Sequence, residues 1–391
     1  MTDDSLALRK SWTPGKGGTA TLIAQLETEL RAVWAEPGAP EGAPKSRVCT
    51  MNLEVIAGSR ELLERYMPVV DEVAASFQAR AIVASIEPDA AGDEITGACT
   101  AIHAAEDGTT VRSERIVLHA TGTASIRTVS AIEAFLVPEI PTVLVWLGRV
   151  HVDDPVFEEL ANDAHRIILD SDYTSLASLI HVASWARVQA NRPHVSDLAW
   201  TRLSSWLELV ARFFDGNDTR GFATKVTKVI VKQASAPNVR LGPEAALLLG
   251  WIATRLEWKI SRLGGTLRFR RPDGTLVSIE LGSVPLPKGV QPSTIAFVAI
   301  EAVDAGSRMS GSVDRDLASG AQAGARTPDA DTVVWKQTVG GNSPIEMTLR
   351  LGANKAARWL ERTLHRPAVD AGFDEAVAFA EQIVEDGLTV S

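Results

Sequence analysis

Reactive sulfur is nearly missing from this chain. Two cysteines in 391 residues, Cys49 and Cys99, cannot build a disulfide framework, and no Cys-x-x-Cys pair is present to hold zinc or exchange electrons. Both fall in predicted strands and read as buried packing residues, so redox control is not expected. No uninterrupted apolar run reaches the ~20 residues that a membrane helix requires. The opening Met1-Thr2-Asp3-Asp4-Ser5 carries acids where a signal peptide carries lysine or arginine, and the expected location is the cytoplasm. Positive charge is the minority: 39 Lys and Arg against 49 Asp and Glu leave a net charge of −10, which argues against nucleic acid as the main partner.

Catalytic patterns are missing too. No G-x-G-x-x-G follows a predicted strand, which removes the main fingerprint of a dinucleotide site. Gly15-Lys16-Gly17-Gly18-Thr19 has neither the upstream glycine nor the preceding strand of a phosphate loop. The histidines, His103, His119, His151, His165, His181, His194 and His365, contain no i,i+4 pair for a metal on one helix face. His103 and His119 could meet across a hairpin, although two half-exposed strand residues are the simpler reading. No G-x-S-x-G elbow occurs. Asp153-Asp154 and Glu158-Glu159 fit a helix start and its solvated face. The expectation is a chain with no catalytic residue, no cofactor and no metal.

What the chain has instead is tryptophan: ten, against two tyrosines. Such an excess belongs to large cores or to protein interfaces, because the indole carries much apolar area with one N–H to satisfy. The densest segment is Asp197-Leu198-Ala199-Trp200-Thr201-Arg202-Leu203-Ser204-Ser205-Trp206. Asp197, or Ser196, can cap a helix whose residues Trp200, Leu203, Trp206, Leu207 and Val210 fall on one stripe, with Arg202, Ser205 and Glu208 facing elsewhere. The stripe is either core or a docking surface, and Arg202 is the better contact residue. A second candidate is the basic cluster of Arg268, Arg270 and Arg271 beside Phe269, which is either a solvated strand face or a seat for an acidic partner. Binding energy concentrates in few aromatic or arginine side chains, so the partner-binding candidates are Trp200, Arg202, Trp206, Arg268 and Arg270.

The length favours two domains or more. Residues 1–45 read as a leading helix (Thr19–Trp34) and a Pro/Gly linker, an appendage to the rest of the chain. Residues 46–172 alternate strands with helices: strands at Val48–Ala57, Ala79–Ile86, Thr142–Trp146 and Arg166–Asp170, and a hairpin from Ile95–Ala104 and Val111–Ala120. That pattern predicts an α/β domain on a mixed sheet. Residues 173–221 form a helical bridge that ends at Asp215-Gly216-Asn217-Asp218. Residues 222–391 predict a mostly antiparallel α+β domain, with a long helix over Pro243–Leu263 and later helices at Lys355–Leu364 and Asp374–Glu385. The loop Ala318–Asp331 separates two of its strands.

The pattern Asp-Leu-x-Trp-x-Arg-Leu-x-x-Trp from Asp197, with its apolar run to Phe213-Phe214-Asp215, resembles the OpcA family. Ser46-Arg47-Val48-Cys49-Thr50-Met51-Asn52-Leu53, Ser113-Glu114-Arg115-Ile116-Val117-Leu118, Pro138-Glu139-Ile140-Pro141-Thr142-Val143-Leu144-Val145-Trp146 and Ile167-Ile168-Leu169-Asp170-Ser171 resemble its other blocks, in order. The resemblance implies a non-catalytic accessory protein that binds, assembles and allosterically activates glucose-6-phosphate dehydrogenase in the oxidative pentose phosphate pathway. The residues leave open an enzyme that holds a sugar phosphate or nucleotide in the first α/β domain, and the resemblance is also compatible with a scaffold that assembles the dehydrogenase without changing its kinetics.

Overall fold

Two eight-stranded sheets organise the chain. The computed structural model describes residues 8–12, 18–35, 49–106, 109–235, 241–263, 266–286, 290, 293–315, 331–351 and 356–385. The chain divides into two compact units, one of residues 1–174 and 181–196, the other of 175–180 and 197–391. The stretch read as a bridge is thus shared between them.

The first unit is built on parallel strands. β2 (Asn52–Ala57), β3 (Arg80–Glu87), β6 (Thr142–Leu147) and β7 (Arg166–Leu169) are short apolar runs, and β2 and β6 are buried along their whole length. Strands covered on both faces need no alternation of polar residues. β4 (Ile95–Glu106) and β5 (Thr109–Thr121) form the expected hairpin. β1 (Leu8–Trp12) and β8 (His194–Asp197) close the edges, giving the order β1-β4-β5-β3-β2-β6-β7-β8. From β5 through β3, β2 and β6 to β7 every pairing is parallel, and the hairpin makes the sheet mixed. The turn at 107–108 lies outside the described residues. In the hairpin His119 stands opposite Thr96 and His103 opposite Arg112, so the two histidines are not paired across it.

Helices connect these strands: α2 (Arg60–Ser76) joins β2 to β3, α3 (Ala124–Glu133) follows β5, and α4 (Pro155–Asp163) joins β6 to β7. The leading helix α1 (Gly18–Ala35) is no appendage. Its Leu22, Leu26 and Leu30 are buried, and a Cβ on Gly97 of β4 would lie 2.7 Å from Leu26, so the bare glycine backbone admits the helix.

The second unit carries the order β10-β11-β12-β9-β13-β14-β15-β16. Its strands are β9 (Val226–Ala234), β10 (Lys259–Leu263), β11 (Thr266–Arg270), β12 (Leu276–Val284), β13 (Ile295–Asp304), β14 (Ser307–Arg315), β15 (Asp331–Val339) and β16 (Ile345–Leu351). Only β12 and β9 run parallel, so the sheet is largely antiparallel. One face is apolar, with Val229, Val231, Val298, Ile300, Met309, Val313, Val333 and Trp335 buried. Its helices are α7 (Leu198–Ala211), α8 (Pro243–Arg255), α9 (Ala356–His365) and α10 (Ala371–Glu385). Of the preceding helices among the described residues, α5 (Ser171–Thr174) belongs to the first unit and α6 (Leu176–Val188) is divided between the two.

One expected element is wrong. The helix begun at Pro243 stops at Arg255, and Lys259–Leu263 is a strand paired with β11. Trp258 N–H reaches Ala253 O at 2.8 Å and Glu257 N–H reaches Thr254 O at 3.2 Å. That is a Schellman ending, with Glu257 in the left-handed region at φ 56°. Glycine usually marks this position, and its absence let the apolar pattern read through.

Candidate functional site

The tryptophan helix α7 begins as its sequence predicts. Asp197 sits in extended backbone, and its carboxylate accepts from Trp200 N–H at 3.2 Å. Trp200, Trp206 and Arg202 then turn into the second unit, whereas Glu208 is exposed and Leu207 half-buried. Trp200 is buried; its indole N–H donates to Asp370 Oδ2 at 2.9 Å, and its ring lies 5.8 Å from that of Phe373. Asp370 Oδ1 accepts from Phe373 N–H at 3.1 Å, so one carboxylate starts α10 and anchors the tryptophan. Trp206 is 1% exposed, with the Arg315 guanidinium 5.1 Å above its ring.

Arg202, expected off the stripe and available to a partner, is interior. Its Nε donates to Glu244 Oε1 at 3.1 Å, with the two side chains 9% and 4% exposed. Glu244 Oε2 accepts from Ile295 N–H at 3.0 Å, so the pair ties α7, α8 and the start of β13 together. The far end of the segment is pinned as firmly. Trp335 donates to Leu209 O at 3.0 Å, Gln337 donates to Phe213 O at 2.7 Å, and Phe213 stacks on Trp335 at 5.1 Å. A Cβ on Gly311 would lie 2.5 Å from the Phe213 ring, so only glycine fits there.

The basic cluster divides by strand alternation. Phe269 of β11 points inward against Trp258 and Phe379, at 6.0 and 5.2 Å, whereas Arg268 and Arg270 lie on the opposite face. Arg270 is exposed and donates to Gly274 O and Ser261 Oγ at 3.0 and 3.3 Å. Arg268 Nε is shielded from solvent and has no hydrogen-bond partner among the described residues. Arg271 leaves the cluster, since its side chain is buried, donates to Val226 O at 3.3 Å and pairs with Asp273. The face that holds Arg268 and Arg270 continues through Ser278 and Lys228, which pairs with Glu280 at 2.7 Å, to the exposed Lys336–Glu346 pair at 3.0 Å. Half-buried Ile230, Phe297 and Val334 lie among these charges.

The most perturbed titratable group is in the first unit, and no sequence motif marked it. Glu54, on the central strand β2, is 1% exposed, and its Oε2 has no hydrogen-bond partner among the described residues. Burial first, then the charges of Asp163 and Glu133, push its pKa up to about 8. Glu133 is itself raised, by burial and then by Glu159 and Asp163. The visible signal was a lone acid inside the apolar run Asn52-Leu53-Glu54-Val55-Ile56-Ala57. Burial also raises Cys49, whose Sγ lies 3.3 Å from Met51 O. Among the described residues no three His, Cys, Asp or Glu side chains gather as a metal-holding group, and no helix is long and apolar enough to cross a membrane.

Two family models match the chain. One, described as the glucose-6-phosphate dehydrogenase subunit N-terminal domain of OpcA, covers residues 70–183, and the corresponding C-terminal domain covers 193–377. Similar proteins named "Putative OxPP cycle protein OpcA" occur in Synechocystis (24% identity over 342 residues, 81% of this chain and 66% of the relative) and Synechococcus elongatus (27% over 191 residues, 46% and 40%). The chain therefore spans less than two thirds of either relative's length. Among solved structures, an oxidoreductase from Sinorhizobium meliloti aligns at TM-score 0.42 and 12% identity, covering 86% of this chain and 96% of that one. A glucose-6-phosphate 1-dehydrogenase from Mycobacterium avium aligns at TM-score 0.40 and 12% identity, covering 86% and 92%. With both domain models matched in order along it, this chain belongs to the OpcA family.

Proposed function

We propose that this protein is a non-catalytic accessory subunit that binds, assembles and allosterically activates glucose-6-phosphate dehydrogenase in the oxidative pentose phosphate pathway. The observation that carries this reading is the ordered match of both domains named for that dehydrogenase subunit, at residues 70–183 and 193–377. The placement of the side chains refines it. Trp200, Arg202 and Trp206 act through the fold by holding α7 in place, whereas Arg268 and Arg270, on the outward face of the second sheet, are the direct contacts. Arginine and aromatic residues are enriched at interfaces whereas Lys and Glu are depleted, so Arg268, Arg270 and Phe297, rather than the Lys–Glu pairs of this face, are the expected contacts.

Activation requires the protein to bind the competent form of the dehydrogenase more tightly than the idle form. Substrate affinity then rises by the same factor, roughly 5- to 150-fold for a coupling of ~1–3 kcal/mol. The test is to titrate this protein into its cognate dehydrogenase at low glucose 6-phosphate while following turnover and complex mass. The reading expects both to rise. A rise in mass with unchanged turnover leaves a scaffold, and a stabilising small ligand found without the dehydrogenase favours the enzyme alternative.

A further inference from the structure

In an open doubly wound sheet a dinucleotide sits outside the carboxyl ends of the strands, where the strand order reverses. Its pyrophosphate rests on the N-terminus of the helix after the first strand, and an acid at the end of the second strand takes a ribose hydroxyl. The first unit has this topology. The chain runs outward from β2 to β3 and β5 and returns on the other side of β2 as β6, so the reversal lies between β2 and β6. The helix α2 starts directly after β2, and Glu87 is the last residue of β3. We propose that this seat is filled by the protein's own side chains, so that the unit keeps the scaffold of a dinucleotide fold and binds no dinucleotide there.

One oxygen of the acid is engaged at the helix start. Glu87 Oε1 accepts from Arg60 N–H at 2.9 Å, and Ser59 Oγ accepts from Leu62 N–H at 3.2 Å, so two donors of the helix start are taken internally. A phosphate at this terminus must displace a carboxylate and then lie beside it, like charge against like. The nearby cations are engaged as well, with Arg60 on Glu64 at 2.9 Å and Arg65 on Glu61 at 2.8 Å. An apolar, half-buried side chain also stands at the reversal point. Gly148, the residue after β6, has φ +94°, and a Cβ built there would lie 3.4 Å from Leu62 Cδ2. The Leu62 side chain, from the first turn of α2, thus reaches the end of β6 across the reversal point. The turn Ala57-Gly58-Ser59-Arg60-Glu61-Leu62 offers a single glycine where close approach of a pyrophosphate uses three.

The inference stands apart from the proposed function, because a protein that grips the dehydrogenase could do so with or without a nucleotide. The experiment uses the full chain in two arms. Calorimetric titration with NADP and with NAD is expected to show no saturable heat up to about 1 mM, the upper end of ordinary substrate affinities. Thermal melting in inorganic phosphate, against chloride at equal ionic strength, is expected to show a phosphate-specific rise for Glu87→Ala, whose helix start is released. It is expected to show none for the wild type or for Glu87→Gln, which keeps an acceptor oxygen. Saturable binding of either dinucleotide to the wild type, or equal phosphate stabilisation of all three proteins, overturns the proposal. Neither result bears on whether the dehydrogenase co-elutes with the chain.

Discussion

Arg202 and Glu244 show how little a residue type says without its surroundings. A lone arginine off an apolar stripe reads as a surface contact, yet here it is nearly sealed from solvent against a carboxylate that also serves Ile295 N–H. Removing one partner of such a pair strands the other, so Arg202→Ala is expected to lower stability by about 3–5 kcal/mol in urea unfolding. Trp200→Phe keeps an aromatic ring but loses the pyrrole N–H and its bond to Asp370, and the expected loss is about 1–2 kcal/mol. Glu54 sets a pH dependence of definite sign. Its folded pKa of about 8 lies above the unfolded value near 4.5, so between these the folded state holds a proton that the unfolded state has released. Stability therefore falls as pH rises through this window, by about 1.4 kcal/mol per unit from this group, and levels off above it. In Glu54→Gln the slope of the unfolding free energy is expected to flatten between roughly pH 6 and 8; an unchanged slope assigns the dependence elsewhere.

Helix ends decide where this fold was readable in its sequence. Elements with strong local punctuation were legible: the buried run at β6, the β4–β5 hairpin, and α7 with its Asp197 cap all lie where their patterns put them. The end of α8 was not, because Glu257 occupies a left-handed position with no glycine to announce it. A non-glycine residue there bears about 1–2 kcal/mol of strain. Glu257→Gly is accordingly expected to raise stability by about 1 kcal/mol in chemical denaturation, while Glu257→Ala, which keeps a Cβ, does not. β1 and β8 escaped for another reason. Strands of five and four residues at sheet edges take their place from the neighbour they pair with, and five residues of local pattern carry little of that information. The same limit applied to the candidate site. Alternation separated Phe269 from Arg268 and Arg270, but the inward turn of Arg271 and Arg202 depended on distant acceptors, Val226 O and Glu244.

At the scale of the whole molecule, the two sheets differ in construction. The first has the connectivity of a nucleotide-binding fold, with the reversal point taken up by Ser59, Leu62 and Glu87. The second buries one face against helices and turns the other, with Arg268 and Arg270, outward. If that face docks on the dehydrogenase, Arg268→Ala/Arg270→Ala is expected to weaken the complex about tenfold or more, equivalent to about 1.4 kcal/mol, without lowering the melting temperature. Loss of folding in the double variant, or full affinity, contradicts that assignment. The central claim is that the chain works by shifting another enzyme between states. Its most direct measurement is the KM of the cognate dehydrogenase for glucose 6-phosphate as purified wild-type protein is added in increasing amounts. The account predicts a saturable fall in KM that tracks formation of a mixed complex, and a constant KM with no complex would contradict it.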